Sequence, residues 1–178
     1  MGDPMSKWAA FPKVEDSVIQ DLATNYLSLN RIAANSNAIS VDMFKPPTYD
    51  SSVLVNLQKV ANNIVELDLS GIPIGEVEMN LIETCINLEV LEIDNTPVTD
   101  KEIKKLVNLK RLRLLKVYGT AIGDESIATF ESLPELKSLY LWETNVSRAA
   151  LADLYKNRPD LQIDFGLGMD DEAPVEVP

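Results

Sequence analysis

The chain has 178 residues, enough for one compact domain or a short solenoid and too few for two catalytic domains. Its 28 acidic side chains against 16 basic ones give a formal charge of −12, a balance that repels phosphate backbones and anionic lipid and argues against nucleic acid as a partner. Histidine is absent, which removes imidazole acid–base chemistry, imidazole-built zinc sites and haem attachment through C-x-x-C-H.

In chain order, Met1 to Pro4 reads as a vector-derived extension ahead of Met5, and residues 1–15 as a partly disordered leader without the basic and apolar regions of a signal peptide. No apolar run approaches the roughly 20 residues of a membrane span, so direct membrane insertion of this segment is not expected. Asp16 to Asn25 is predicted to form an amphipathic helix with Val18, Ile19, Leu22 and Tyr26 on one side, followed by a strand over Leu27 to Ile32. Together they make residues 16–38 an N-terminal helix–strand cap. Ile39 to Met43 reads as the next strand, Pro46-Pro47 lengthens the turn after it, and Asp50 opens a helix through Val53, Leu57 and Val60. That stretch is a degenerate copy of the strand–helix unit that recurs after it.

From Ile64 onward the chain repeats every 24 residues. Stacked at that period, Ile64, Leu88, Leu112 and Leu136 share a row, as do Leu67, Leu91, Leu115 and Leu139, and then Leu69, Ile93, Val117 and Leu141. Ile72, Thr96, Thr120 and Thr144 come next, and three more rows run through Ile74, Met79 and Ile82 to Val146, Leu151 and Leu154. The first three rows read L-x-x-L-x-L, a strand period, and the later apolar positions lie three or four apart, a helix period. Each unit is therefore a strand followed by a helix. Thr99 and Glu102 have capping-box spacing, with Val98 and Ile103 as the hydrophobic staple, and Gly75, Gly123 and Ser147 are the equivalent helix starts. Cys85 shares a row with Leu109 and Leu133 and reads as a small buried hydrophobe. Leu161 to Phe165 supplies a last strand, and residues 167–178 form an acidic tail expected to be disordered.

This pattern resembles that of leucine-rich repeat proteins over about residues 39–166, with Leu88-x-x-Leu91-x-Ile93-x-x-Thr96-x-Val98-Thr99-Asp100 as the clearest unit. The resemblance implies an α/β fold: a right-handed β-α superhelix with a parallel sheet on its concave side and helices on its convex side. Many members carry Asn where this chain has Ile72 or Thr, so a continuous asparagine ladder is excluded and the threonine hydroxyls are left to bond a neighbouring turn.

Strand positions between the repeated leucines then map the concave face in three columns. The first is Glu66, Val90, Leu114, Ser138 and Gln162; the second Asp68, Glu92, Lys116, Tyr140 and Asp164; the third Ser70, Asp94, Tyr118, Trp142 and Gly166. The face is acidic early and aromatic late. Tyr118, Tyr140 and Trp142 should cluster on adjacent strands, and aromatics with polar tips dominate interface hot spots. They are the expected partner-binding centre, with Asp94, Glu92 and Lys116 beside them. The competing reading is that the C-terminal cap or the tail folds over the rings as packing. Asp68, Glu92 and Asp94 could act as a glycosidase carboxylate pair or as calcium ligands. Lys116 next to Glu92 argues against both, so no catalytic residue, metal or cofactor is expected. Lys101, Lys104, Lys105, Lys110, Arg111, Arg113 and Lys116 form a local basic band, read as intramolecular charge balance or a head-to-side contact between copies.

A closer resemblance rests on Leu139-Tyr140-Leu141-Trp142-Glu143-Thr144-Asn145-Val146-Ser147, which is similar to the final repeat of a bacterial subgroup ending in L-Y-L-W-x-T-x-V-T, and on Ile32-Ala33-Ala34-Asn35-Ser36-Asn37. Both motifs resemble the C-terminal repeats of membrane-bound proteins with planctomycete-type c-type cytochrome domains. The resemblance implies an extracytoplasmic, periplasmic module tethered to a haem domain that would precede Met5. The expected function is a non-catalytic protein-interaction module whose partner is another protein. The alternative is a carbohydrate-binding or substrate-presenting appendage of a redox or degradative assembly, using the same aromatics.

Overall fold

The computed structural model describes residues 8–34 and 36–166. Among these, seven strands form one sheet in chain order: β1 Leu27–Arg31, β2 Ile39–Met43, β3 Ile64–Asp68, β4 Val90–Glu92, β5 Leu114–Lys116, β6 Ser138–Tyr140 and β7 Gln162–Asp164. The hairpin β1–β2 is antiparallel, and every later pairing is parallel. From β3 onward the pairing obeys the sequence period: Leu67 lies against Leu91, Leu91 against Leu115, Leu115 against Leu139. Each of these leucines is at most 1% exposed. Since side chains alternate across a strand, burying them turns their neighbours outward, and that alternation creates the concave face.

Behind the sheet run α1 Asp16–Leu22, α2 Ser52–Val55, α3 Glu76–Thr84, α4 Asp100–Ile103, α5 Ile127–Ser132 and α6 Arg148–Asn157. Several are shorter than the sequence predicts because 3-10 turns complete them, over Asn56–Asn63 after α2, Lys104–Asn108 after α4 and Asp124–Ser126 before α5. A 3-10 turn rises about 2.0 Å per residue against 1.5 Å in an α-helix, so few residues can span the convex side of a short repeat. Ile82, Leu106, Phe130 and Leu154 close the core from this side, all 0% exposed. Cys85 lies in the core at 0% exposure, and burial pushes its thiol up to about 12, which leaves it a hydrophobe in practice.

The helix starts are held in two ways. Glu102 accepts from the Thr99 N–H at 3.0 Å while Thr99 Oγ1 accepts from Lys101 N–H, and Glu78 accepts from the Gly75 N–H at 2.7 Å. At the next two starts the acceptor comes from the preceding repeat: Asp100 takes the Gly123 N–H at 2.9 Å, and Asp124 takes the Ser147 N–H at 2.7 Å and its hydroxyl at 2.8 Å. The threonine row corrects the sequence expectation. Thr96, Thr120 and Thr144 donate to Ile93, Val117 and Leu141, carbonyls of their own turns, not of a neighbouring one.

One turn position requires left-handed backbone. Gly71, Asn95, Gly119 and Glu143 recur at the repeat period with φ of +70°, +53°, +63° and +55°. Glycine adopts this freely and asparagine with little cost, whereas Glu143 carries a strain of about 1–2 kcal/mol.

At the N-terminus the predicted helix over Asp16 to Asn25 stops at Leu22. Thr24 ends it: its hydroxyl accepts from the N–H groups of Tyr26 and Leu27, at 3.2 and 3.0 Å, a local turn that competes with helix continuation. Tyr26 therefore leaves the helix face assigned to it and is 41% exposed. Phe11 and Val14, read as leader, pack into the fold at 9% and 7% exposure. Arg31 ties this segment down by donating to the carbonyls of Val14 and Ser36 at 2.6 and 2.7 Å. At the other end Arg158 donates to the carbonyls of Leu133 and Leu136, at 3.0 and 2.8 Å, and its bond to Asp160 with that of Lys137 holds the Asp160 carboxyl well below the usual range. The predicted tail at 167–178, the extension at 1–4 and Asn35 of the second motif lie outside the described residues.

Candidate functional site: the concave sheet face

The outward columns are set by strand register. Ser40, Glu66, Val90, Leu114, Ser138 and Gln162 lie on one line across the sheet, and Asp42, Asp68, Glu92, Lys116, Tyr140 and Asp164 on the next. The third line is carried past the strand ends by inter-turn bonds, with Gly71 N–H donating to Asp94, Asn95 to Tyr118 and Gly119 to Trp142, at 2.9 to 3.0 Å. Adjacent positions on one line are one strand spacing apart, about 4.8 Å.

The three aromatics predicted to meet do so. Tyr118 and Trp142 stack with ring centroids 3.8 Å apart and planes 12° from parallel, while Tyr140 meets Trp142 edge-on at 5.8 Å and 78°. All three are half-buried. Gly166 lies against the indole: a Cβ there would come within 2.9 Å of the Trp142 Cβ, and its φ of +81° also favours glycine. Of the competing reading, a cap or tail folded over the rings, the described residues include the Gly166 backbone beside the Trp142 side chain, and the tail at 167–178 lies outside them.

Asp94 does not occupy the exposed position assigned to it. It is 3% exposed, accepting from Ser70 Oγ at 2.8 Å and Asn95 Nδ2 at 3.0 Å. Burial first, and the neighbouring Asp94 carboxylate second, push the Tyr118 phenol up to about 12. Asp94 is thus a buried, hydrogen-bonded carboxylate, and at this point of the face it is the half-buried Tyr118 ring that reaches the surface. Lys116 pairs with Glu92 at 2.8 Å and sits 5.8 Å above the Tyr140 ring. Desolvation pulls the Lys116 pKa down, but the hydrogen bond and charge of Glu92 outweigh it and the net shift is upward. The pair is a fixed, locally neutral rim to the aromatic cluster.

Two residues that the 24-residue period does not reach, Tyr26 and Phe44, complete the face. Phe44 is 64% exposed and has Tyr26 as its cross-strand neighbour, its N–H donating to the Tyr26 carbonyl at 2.8 Å. The period fails here because Asp42 opposes Asp68, 26 positions on, whereas Asp68 opposes Glu92, 24 on, and a register irregularity falls between Ile39 and Ser40. The sequence signal that could have placed Phe44 was the strict alternation Ile39, Val41, Met43 inward, which turns Asp42 and Phe44 outward together.

Much of the basic band is neutralised within the chain. Lys104 pairs with Glu125, Lys105 with Glu83 at 3.2 Å, Lys101 with Glu102 at 4.0 Å, and Lys116 with Glu92. Among the described residues, no three carboxylate or thiol groups gather as a metal cage, and no helix is long and apolar enough to cross a membrane. With Glu92 paired and Asp94 buried and hydrogen-bonded, the face presents aromatic surface beside acidic surface.

The architecture is that of a leucine-rich repeat solenoid of the α/β class, a β-α superhelix with its sheet on the concave side. An internalin (inlF) from Listeria monocytogenes has this fold over 67% of the present chain, at 20% sequence identity and a TM-score of 0.50, the match taking up 31% of that protein. An internalin C2 (inlC2) from the same species matches over 62% of this chain and 45% of its own, at 26% identity and a TM-score of 0.49. A leucine-rich repeat protein from Leptospira interrogans matches over 70% and 30%, at 22% identity and 0.49. The chain spans less than half the length of each. No family model and no curated protein matches it.

Proposed function

We propose that the solenoid is a non-catalytic protein-interaction module that docks its partner on the concave face around Tyr118, Tyr140 and Trp142. The observation that carries this is the Tyr118–Trp142 stack, ordered before any partner arrives by the contact of the two rings and by the Gly166 backbone packed against the indole. Rings ordered in advance lose little rotamer freedom on binding, which is what makes aromatic anchors efficient. A photocrosslinking residue placed at Tyr140, and in parallel at the exposed convex residue Ile86, tests it in extract of the source cells. Adducts specific to Tyr140 and lost in Trp142→Ala support the reading; equal adducts from both sites, or none lost, refute it.

The sugar-binding alternative uses the same rings. Here the stack works against it, because Tyr118 and Trp142 each give one face to the other and leave a single outer face for a pyranose. Titration with neutral hexose oligosaccharides separates the two, since only the sugar reading expects affinity that disappears in Trp142→Ala.

The proposed setting is extracytoplasmic, in a larger bacterial haem protein. Two motifs support it, Leu139 to Ser147 and Ile32 to Asn37, both by their resemblance to repeats of that kind. Source-cell membranes stained for covalent haem alongside an antibody blot decide it. A membrane-bound, haem-positive band far above 20 kDa supports the tether, and a soluble haem-free band near the chain's own mass removes it.

A further inference from the structure

The concave face has aromatic surface at both ends and unneutralised acid between. At one end Tyr26 and Phe44 face each other across the β1–β2 hairpin, 41% and 64% exposed. At the other stand Tyr118, Tyr140 and Trp142. Between them Asp42, Glu66 and Asp68 lie half-buried on adjacent strands, and among the described residues none has an ion-pair partner. Among the described residues, the Asp42 and Asp68 carboxylates accept hydrogen bonds from Ser28 Oγ and the Ser70 N–H alone. The one cation in these columns, Lys116, is already neutralised by Glu92.

We infer that this face binds an extended basic polypeptide segment laid across the strands, with an apolar residue at each end seated on the two aromatic groups. The inference rests on the reading of the concave face as the docking surface and goes further in naming what docks. Charge decides the middle of the segment. A neutral partner would strip water from three carboxylates and leave them unpaired, an outcome that costs several kcal/mol, whereas Lys or Arg supplies the missing donors and Arg also stacks on exposed rings. Geometry decides its length. From the β2 end to β5 and β6 is three to four strand spacings, about 14–19 Å, and an extended chain advances about 3.3 Å per residue, so the anchors sit about four to six residues apart. The chain's charge of −12 adds long-range steering of a cationic segment toward the face.

The test uses the full chain and a fluorescently labelled heptapeptide, Phe-Lys-Arg-Lys-Arg-Lys-Phe, with two reference peptides in which the five basic residues become Glu or the two Phe become Ser. Fluorescence anisotropy at 50 mM salt should show the parent peptide binding at least tenfold tighter than either reference. Phe44→Ser and Asp68→Asn should each weaken it at least fivefold, and 500 mM salt at least tenfold, while Glu76→Gln, an exposed acid on α3, leaves it unchanged. Phe44 and Glu76 are exposed, and melting curves verify that each variant folds. Equal binding of the acidic peptide, no binding at 1 mM, or insensitivity to Phe44→Ser and Asp68→Asn overturns the inference. If crosslinking of the natural partner depends on Trp142 but not on Phe44 or Asp68, the docking face stands and the basic segment falls. Should Trp142 also be dispensable, both fall.

Discussion

The two aromatic groups on the concave face are built by different physics. Tyr118, Tyr140 and Trp142 belong to the regular repeats, where inter-turn backbone bonds set their spacing, and they end half-buried against one another. Tyr26 and Phe44 belong to the hairpin that starts the sheet, and their side chains stand open to solvent. Pre-ordered surface comes from periodic stacking, because each turn repeats the geometry below it. Open aromatic surface comes from the hairpin, which lies outside the 24-residue period and, among the described residues, has no repeat turn stacked beyond β1.

The difference can be broken most severely from beneath. Leu115→Ala empties a fully buried site under β5 and is expected to destabilise by about 3–4 kcal/mol, with loss of the Tyr118–Trp142 ring signal in near-UV circular dichroism. Trp142→Ala removes stacked and edge contacts together, and about 2 kcal/mol of stability should go with them in urea melts. Asp94→Asn, which keeps the shape and removes the charge, should let the Tyr118 phenol fall from about 12 toward the usual value near 10, read by ultraviolet titration against Tyr118→Phe. The sign comes from the upward shift: the stability contributed by protonated Tyr118 is complete below pH 10 and lost as pH rises through about 12. Glu143→Gly relieves the left-handed turn beside the stack and should stabilise by about 1 kcal/mol. Phe44→Ser is expected to move stability by less than about 0.5 kcal/mol, since the ring is 64% exposed. A large loss there would mean that the two groups are alike after all.

The repeat region was legible because one translation governs it. Once Leu67, Leu91, Leu115 and Leu139 are stacked, the parallel sheet, the inward rows and the meeting of Tyr118 with Trp142 are all implied, and the α/β solenoid with them. Caps internal to one repeat, such as Thr99 with Glu102, were legible for the same reason: donor and acceptor lie three residues apart. Caps shared between repeats, Asp100 to Gly123 and Asp124 to Ser147, were not, because both partners are ordinary in their own sequence context and meet only after stacking.

What the sequence determined by itself is therefore what is periodic: 24 residues per turn, the core rows, and the columns of the concave face from Glu66 onward. The tertiary structure alone decided where periodicity breaks and which way polar groups face. The turn at Thr24 swings Tyr26 out, the shifted register of β2 brings Phe44 onto the face, and two donors, Ser70 and Asn95, hold Asp94 out of solvent. Each depends on a competition between local hydrogen bonds and packing across distant residues, and a competition of that kind is settled only when both sides are present in space.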